Sequence, residues 1–331
     1  MFKKLIGLSL SLTLVLSTQS SAQAATIKCA QPGKTNSNNQ ICWGSPGKLY
    51  WQTLPDFNKL LDQATKLTKL PKSLNPPLLK VPTSRKSWFD QKCTTDFSSV
   101  ELFQCWGGDP NAKRTIVLYG DSHASMWMTA IDQIGQIEGF RVLLLAKLAC
   151  PILQKTVWSY QLNKPFAECD EWNQKALELI KSIRPDYLIA TNQWKPAVDG
   201  STKDDFGTSS LWTSEFPKAL ANLKTLANKV ILIGNNPSMT TDPLRCAGKP
   251  NQNLVLCASF TPKADNHEIN LIEANAAKAL AIPYINTVGI ACTSMLCPVI
   301  VNGYFVYFDQ WHFTSSYVKW LVPVLKKALV I

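Results

Sequence analysis

The fold is decided by residues 115–127, "TIVLYGDSHASMW". An apolar, β-branched run ends at Gly120. Asp121, Ser122 and His123 follow at once, and apolar residues at helical spacing continue to Glu138. The pattern reads as strand, tight turn, helix. Serine and aspartate are also common helix caps. Ser122 is therefore either punctuation or a nucleophile displayed where a strand becomes a helix.

The same alternation extends outward from this corner. Short β-branched runs recur at "RVLLLA" (141–146), "DYLIAT" (186–191), "KVILIG" (229–234) and, more weakly, "IPYIN" (282–286). Between them lie amphipathic stretches, such as "EWNQKALELIKSIRP" with Trp172, Ala176, Leu179, Ile180 and Ile183 on one face. "SEFPKALANLKTLAN", "HEINLIEANAAKAL" and "SSYVKWLVPVLKKAL" complete the set. Continuous apolar strands separated by helices predict a parallel sheet covered on both faces. Right-handed crossovers make it a doubly wound, flavodoxin-like three-layer α/β/α sandwich. In such sheets ligands bind beyond the carboxyl ends of the strands, where Ser122 lies.

The N-terminus reads differently. Lys3 and Lys4 precede an apolar run, Leu5 to Leu16, and Ala22-Gln23-Ala24 ends it. This predicts a signal peptide over 1–24 and an exported protein, in the periplasm, the cell wall or the medium. Residues 25–112 are rich in Pro, Asn, Ser and Trp and predict an irregular, disulfide-tied lead-in to a catalytic domain over 113–331. One helix is expected within it, from Phe57, Leu60, Leu61, Ala64 and Leu67.

All ten cysteines follow the predicted cleavage point: Cys29, Cys42, Cys93, Cys105, Cys150, Cys169, Cys246, Cys257, Cys292 and Cys297. An even count in an exported chain predicts disulfides, with sequential pairing the simplest connectivity. There is no C-x-x-C, and the histidines are His123, His267 and His312, so no metal site is expected. The formal charge of +11 suits anionic surfaces. The basic residues form no cluster interleaved with aromatics, so nucleic acid is not an expected partner.

A serine nucleophile needs a base, and the base an orienting carboxylate. His123 adjoins Ser122 at a helix start, where neighbouring side chains diverge. His267 opens a helix with no signature around it. His312 lies in "YFVYFDQWHF" (304–313), three residues after Asp309. That spacing allows one loop turn to present both side chains to Ser122.

With these residues in place the chain resembles the SGNH (GDSL-like) esterases. It is more similar to the SGNH domains fused to membrane O-acyltransferases of the acyltransferase-3 type. "VLxGDSHAxxW" matches Val117 through Trp127, and a "CP" pair matches Cys150-Pro151. Cys169 with Trp172, and "RPD" at Arg184 to Asp186, fit the next blocks. Cys292, Cys297-Pro298, Tyr307, Asp309 and His312 fit the last, and "LNPPL" (74–78) and "GGDP" (107–110) fit the lead-in. The likeness covers roughly 70–330.

The resemblance implies the SGNH hydrolase fold and cofactor-free acyl chemistry on O-acylated, usually acetylated, glycans. Ser122 would be the nucleophile, His312 the base and Asp309 its orienter. The cysteines would staple the active-site rim. The oxyanion donors implied are the Ser122 N–H and, in place of an absent "GxND" block, Asn192; a turn residue is the equal alternative there. Trp194 is either a sugar-stacking wall or core. Three functions stay open: an esterase, an O-acyltransferase fed by a separate membrane protein, and an inactive glycan-binding scaffold.

Overall fold

The computed structural model describes residues 29–329 and 331 apart from 31, 39, 54–55, 84–87, 90–91 and 194–208. The predicted signal peptide and Trp194 therefore lie outside the described residues.

The elements in chain order begin with β1 (Ile41–Ser45), β2 (Lys48–Gln52) and α1 (Phe57–Ala64). The sheet and its helices follow: β3 (Thr94–Thr95), β4 (Cys105–Gly108), β5 (Arg114–Gly120), α2 (Ser122–Glu138), β6 (Phe140–Lys147), α3 (Ala167–Ile183), β7 (Tyr187–Thr191), α4 (Ser209–Leu226), β8 (Lys229–Ile233), α5 (His267–Ala279), β9 (Tyr284–Ile285), α6 (Ser315–Trp320) and α7 (Val322–Leu329). The sheet runs β9-β8-β7-β5-β6-β3, and these strands are parallel. Beginning at β6, the first five alternating strands of the chain thus lie in the doubly wound order 2-1-3-4-5, with the switch point between β5 and β7.

Alternate residues of β5 explain the three layers. Ile116 and Leu118 pack with α2, α6 and α7 on one face. Val117 and Tyr119 pack with α3, α4 and α5 on the other. Both sets are fully buried, as expected for a central parallel strand.

The lead-in departs from expectation in one respect. It builds no second core, but β3 and β4 join the sheet on β6, with β4 antiparallel. The sheet is therefore not wholly parallel, and the strands at its β6 edge come from before residue 113. Lys147, buried at the end of β6, donates from Nζ to the carbonyls of Asp96 (2.6 Å), Phe97 (3.0 Å) and Ser99 (2.6 Å), which holds the loop after β3. The β1–β2 hairpin packs against the far end of the chain. Trp43 Nε1 donates to the Trp320 carbonyl (2.7 Å), Trp320 Nε1 donates to the Gly44 carbonyl (2.9 Å), and the two indoles stack with centroids 4.7 Å apart.

Five disulfides join neighbouring cysteines: Cys29–Cys42, Cys93–Cys105, Cys150–Cys169, Cys246–Cys257 and Cys292–Cys297. Closing a loop of this length removes roughly 3 kcal/mol of chain entropy from the unfolded state. The final amphipathic stretch breaks at Leu321 into α6 and α7, with Pro323 in the first turn of α7, where its missing N–H costs nothing. Among the described residues no helix is long and apolar enough to cross a membrane.

Candidate active site

The corner at 120–122 shows which residue caps the helix. Asp121, not Ser122, is the N-cap of α2: its Oδ1 accepts from the His123 N–H at 2.8 Å. Its other oxygen accepts from the Gln193 N–H, also at 2.8 Å, and so ties the turn to the end of β7. Ser122 becomes the first helical residue with its hydroxyl released from capping. Gly120 makes the turn possible. Its φ is +154°, and a Cβ there would stand 1.8 Å from the Thr191 carbonyl oxygen of β7. Only glycine allows the two strands to stay paired at this point.

His312 arrives from the other end of the chain. Its Nε2 lies 2.9 Å from Ser122 Oγ, and its Nδ1 lies 2.9 Å from Asp309 Oδ2. The Asp309 Oδ1 also accepts from the backbone N–H groups of Trp311 and His312, each at 2.8 Å. Burial acts to raise the Asp309 pKa, but the bonds from His312 and those two amides outweigh it and hold the carboxyl below its ordinary range. Asp309 is thus an anion that holds Nδ1–H and leaves Nε2 free to accept from Ser122.

The loop carrying Asp309 and His312 has no regular structure, yet it is fixed on several sides. The segment after β8 grips it: Met239 N–H donates to the Gln310 carbonyl (2.7 Å), and Asn236 Nδ2 donates to the Trp311 carbonyl (2.5 Å). The Phe308 N–H donates to the His312 carbonyl (2.7 Å) and closes the loop on itself. From the lead-in, Asn75 donates its N–H to the Gly303 carbonyl (2.9 Å) and accepts from the Phe305 N–H (3.0 Å). Phe89 meets the His312 ring edge-on, with centroids 5.8 Å apart.

His123 is not hydrogen-bonded to Ser122. Its ring is 1% exposed and makes no hydrogen bond of ordinary geometry at either nitrogen. Burial pushes its pKa down to about 4 against the pull of the Asp121 carboxylate, so the ring is neutral near pH 7. Its side chain does not diverge fully from the site, however: it meets the His312 ring edge-on at 5.1 Å. His267 is an exposed residue opening α5.

Asn192 lies immediately after β7, but its amide is engaged elsewhere. Its Oδ1 accepts from the Ile152 N–H (3.3 Å) and its Nδ2 donates to Glu273 (3.2 Å), which also receives Asn235 Nδ2 (3.0 Å). The structure therefore places the Asn192 side chain in a buried network under the sheet end and does not join it to Ser122. Burial raises the Glu273 pKa to about 8. Asn236 is the residue that the sequence reading missed. It stands three positions past the end of β8 in "GNNPS", and its role depends on a loop 75 residues away.

The chain is also similar to known proteins. Residues 89–327 match the family profile described as "SGNH domain (fused to AT3 domains)". The chain is similar to the lipopolysaccharide acetyltransferase periplasmic domain of Salmonella ser. Paratyphi A, at 17% identity and a TM-score of 0.51, over 67% of this chain and 85% of that one. It is more distantly similar to an acetylxylan esterase from Geobacillus stearothermophilus, at 8% identity and a TM-score of 0.41, over 66% and 95%. At these identities the likeness to solved structures concerns the fold. No curated protein matches the sequence significantly.

Proposed function

The chain belongs to the SGNH domain family, and with it to enzymes of carboxylic ester chemistry; from that premise we propose that Ser122, His312 and Asp309 are its catalytic triad and that it removes O-acyl groups, chiefly acetyl, from carbohydrate. The observation that carries the reading is the unbroken chain of contacts from Ser122 Oγ through His312 Nε2 and Nδ1 to Asp309. Ser122 attacks the ester carbonyl as His312 takes its proton at Nε2. The backbone N–H of Ser122, at the positive end of α2, faces the developing oxyanion. Collapse of the tetrahedral intermediate breaks the ester C–O bond, and His312 returns the proton to the leaving sugar hydroxyl. Water, activated by the same His312, then releases the acid from Ser122.

The family description supports a second reading. Association with AT3 domains suits an acyl group delivered by a membrane acyltransferase and passed by Ser122 to a sugar hydroxyl. The two readings share every protein residue and differ in what resolves the acyl-enzyme. An inactive scaffold is disfavoured because both links, Ser122 to His312 and His312 to Asp309, are made. Five disulfides suit an oxidising compartment outside the cytoplasm. We assign export to residues 1–24 and catalysis to 113–331, with 25–112 as the lead-in that completes the sheet.

Acetate release from p-nitrophenyl acetate, with and without an oligosaccharide acceptor, tests the proposal. Release without acceptor supports the esterase, and an acetylated oligosaccharide supports the transferase. Ser122→Ala and His312→Ala each abolish turnover while the protein stays folded. Near-normal rates in either variant would overturn the triad.

A further inference from the structure

His123 adjoins the proposed nucleophile in the chain and the proposed base in space. Its ring meets the His312 ring with centroids 5.1 Å apart and planes at 74°. Phe89 meets the same ring at 5.8 Å and 84°. Both are edge-to-face contacts, an arrangement that aromatic rings prefer. Asp309 fixes where His312 Nδ1 lies, but one hydrogen bond leaves a ring free to pivot about it. A lateral ring contact removes that freedom and keeps Nε2 on Ser122 Oγ.

A residue that positions another must itself be fixed, and His123 is. It stands in the first turn of α2, its N–H donates to Asp121 Oδ1 (2.8 Å), and it is buried. The polar contact of its ring is to the main chain of Asn192. The Asn192 side chain is held in turn by the Ile152 N–H (3.3 Å) and by Glu273 of α5 (3.2 Å). The backing thus runs from α5, through the end of β7, to the His312 ring.

As mere filling, His123 is a poor choice. Neither ring nitrogen has a hydrogen bond of ordinary geometry, and a buried polar atom without one is destabilising. A hydrocarbon side chain would avoid that cost. What a flat ring supplies beyond filled space is direction, because an edge-on contact tolerates only a narrow range of rotations. Burial also keeps the His123 ring neutral, so it does not repel the charge that His312 gains on taking a proton.

We propose that His123 is a positioning residue: its ring, backed by Asn192, fixes the orientation of the His312 imidazole toward Ser122. The proposal rests on the triad reading and adds to it a residue that acts only through the base.

The test measures kcat and KM on p-nitrophenyl acetate for wild type, His123→Ala and His123→Phe, at a temperature where all are folded by circular dichroism. A second readout is the low-field proton NMR signal of His312 Nδ1–H. His123→Ala is expected to lower kcat about tenfold or more, with KM changed by less than about twofold, and to broaden or remove the signal. His123→Phe, which keeps a ring but no ring nitrogen, is expected to bring kcat to within about threefold of wild type and to restore the signal. An unchanged kcat in His123→Ala, a loss confined to KM, or equal losses in the two variants would overturn the proposal. If His123→Ala does not fold, His123→Leu takes its place: it must lose kcat and the signal where His123→Phe keeps them, and equal behaviour of the two contradicts the proposal. If wild type does not turn over the ester, the triad reading fails by itself and the signal alone decides. Its loss in His123→Ala and retention in His123→Phe support the positioning role; the same signal in all three proteins, or none in wild type, contradicts it.

Discussion

Ser122 and His312 meet at 2.9 Å, but they reach that point by opposite routes. Ser122 is placed by regular structure. It follows the central strand of the sheet, its turn is fixed by Gly120 and Asp121, and its direction is that of α2. His312 is placed by irregular structure. Its loop is gripped from outside by Asn236 and Met239 after β8 and by Phe89 of the lead-in, while Asn75 fixes the stretch just before it. The corner of the proposed nucleophile is local and self-sufficient; the proposed base depends on contacts from distant parts of the sequence. A change at the corner should therefore act on chemistry directly. A change in the grip should act through stability or through the position of one ring.

The largest expected effect lies at the corner. Gly120→Ala places a Cβ against the Thr191 carbonyl and forces β5 from β7, which moves Ser122. A misplacement of about 1 Å can cost roughly a hundredfold in rate. We expect kcat/KM to fall by about that factor or more; an unchanged kcat/KM would show that the corner is looser than described.

At the grip, Trp320→Ala removes one half of the paired indoles that bind the β1–β2 hairpin to α6, directly after the His312 loop. A buried tryptophan of this kind is worth about 3–5 kcal/mol. Denaturant unfolding should register that loss. At temperatures where the variant remains folded, kcat/KM should fall much less than in Gly120→Ala. The reverse order would break the contrast between the two regions.

Protonation sharpens the contrast. His123, in the corner, has a folded-state pKa near 4, against about 6.5 unfolded. The unfolded chain binds the extra proton between these values, so stability declines as pH falls from about 6.5 to 4, by up to about 3 kcal/mol. Glu273, under the sheet end, has its pKa raised to about 8. The folded protein then holds the extra proton, and stability declines as pH rises from about 4.5 to 8. His123→Phe should flatten the acid side of the stability profile and leave the alkaline side. Denaturant midpoints across this range decide the matter; an unchanged acid limb would refute the neutral, buried His123.

The smallest effect is expected at Asn236. Asn236→Ala removes one hydrogen bond to the Trp311 carbonyl, worth about 1 kcal/mol. We expect a fall of about fivefold in kcat/KM with little change in Tm. A fall as large as that of Gly120→Ala would mean that the base loop rests on this one contact.

The same contrast explains what could be read from the sequence. The corner was legible because strand, turn and helix are coded within 13 residues by β-branching, one glycine and helical spacing. Asp309 and His312 were legible as a pair because their spacing is local. Their grip was not: Asn236 acts on a loop 75 residues away. The strands β3 and β4 were missed because two threonines and a short "CWGG" carry no alternation. They become strands only because β6 presents an edge to them. Asn192 was legible as a residue at a strand end, but not its tie to Glu273, which lies 81 residues on.

We propose Ser122 as a nucleophile activated by His312, with the helix capped by Asp121. Treatment of the folded protein with a fluorophosphonate, followed by peptide mass spectrometry, tests it directly. A single covalent adduct on Ser122 is expected in the wild type, strongly slowed in His312→Ala and absent in Ser122→Ala. An unmodified Ser122 in the wild type, or equal labelling with and without His312, would contradict it.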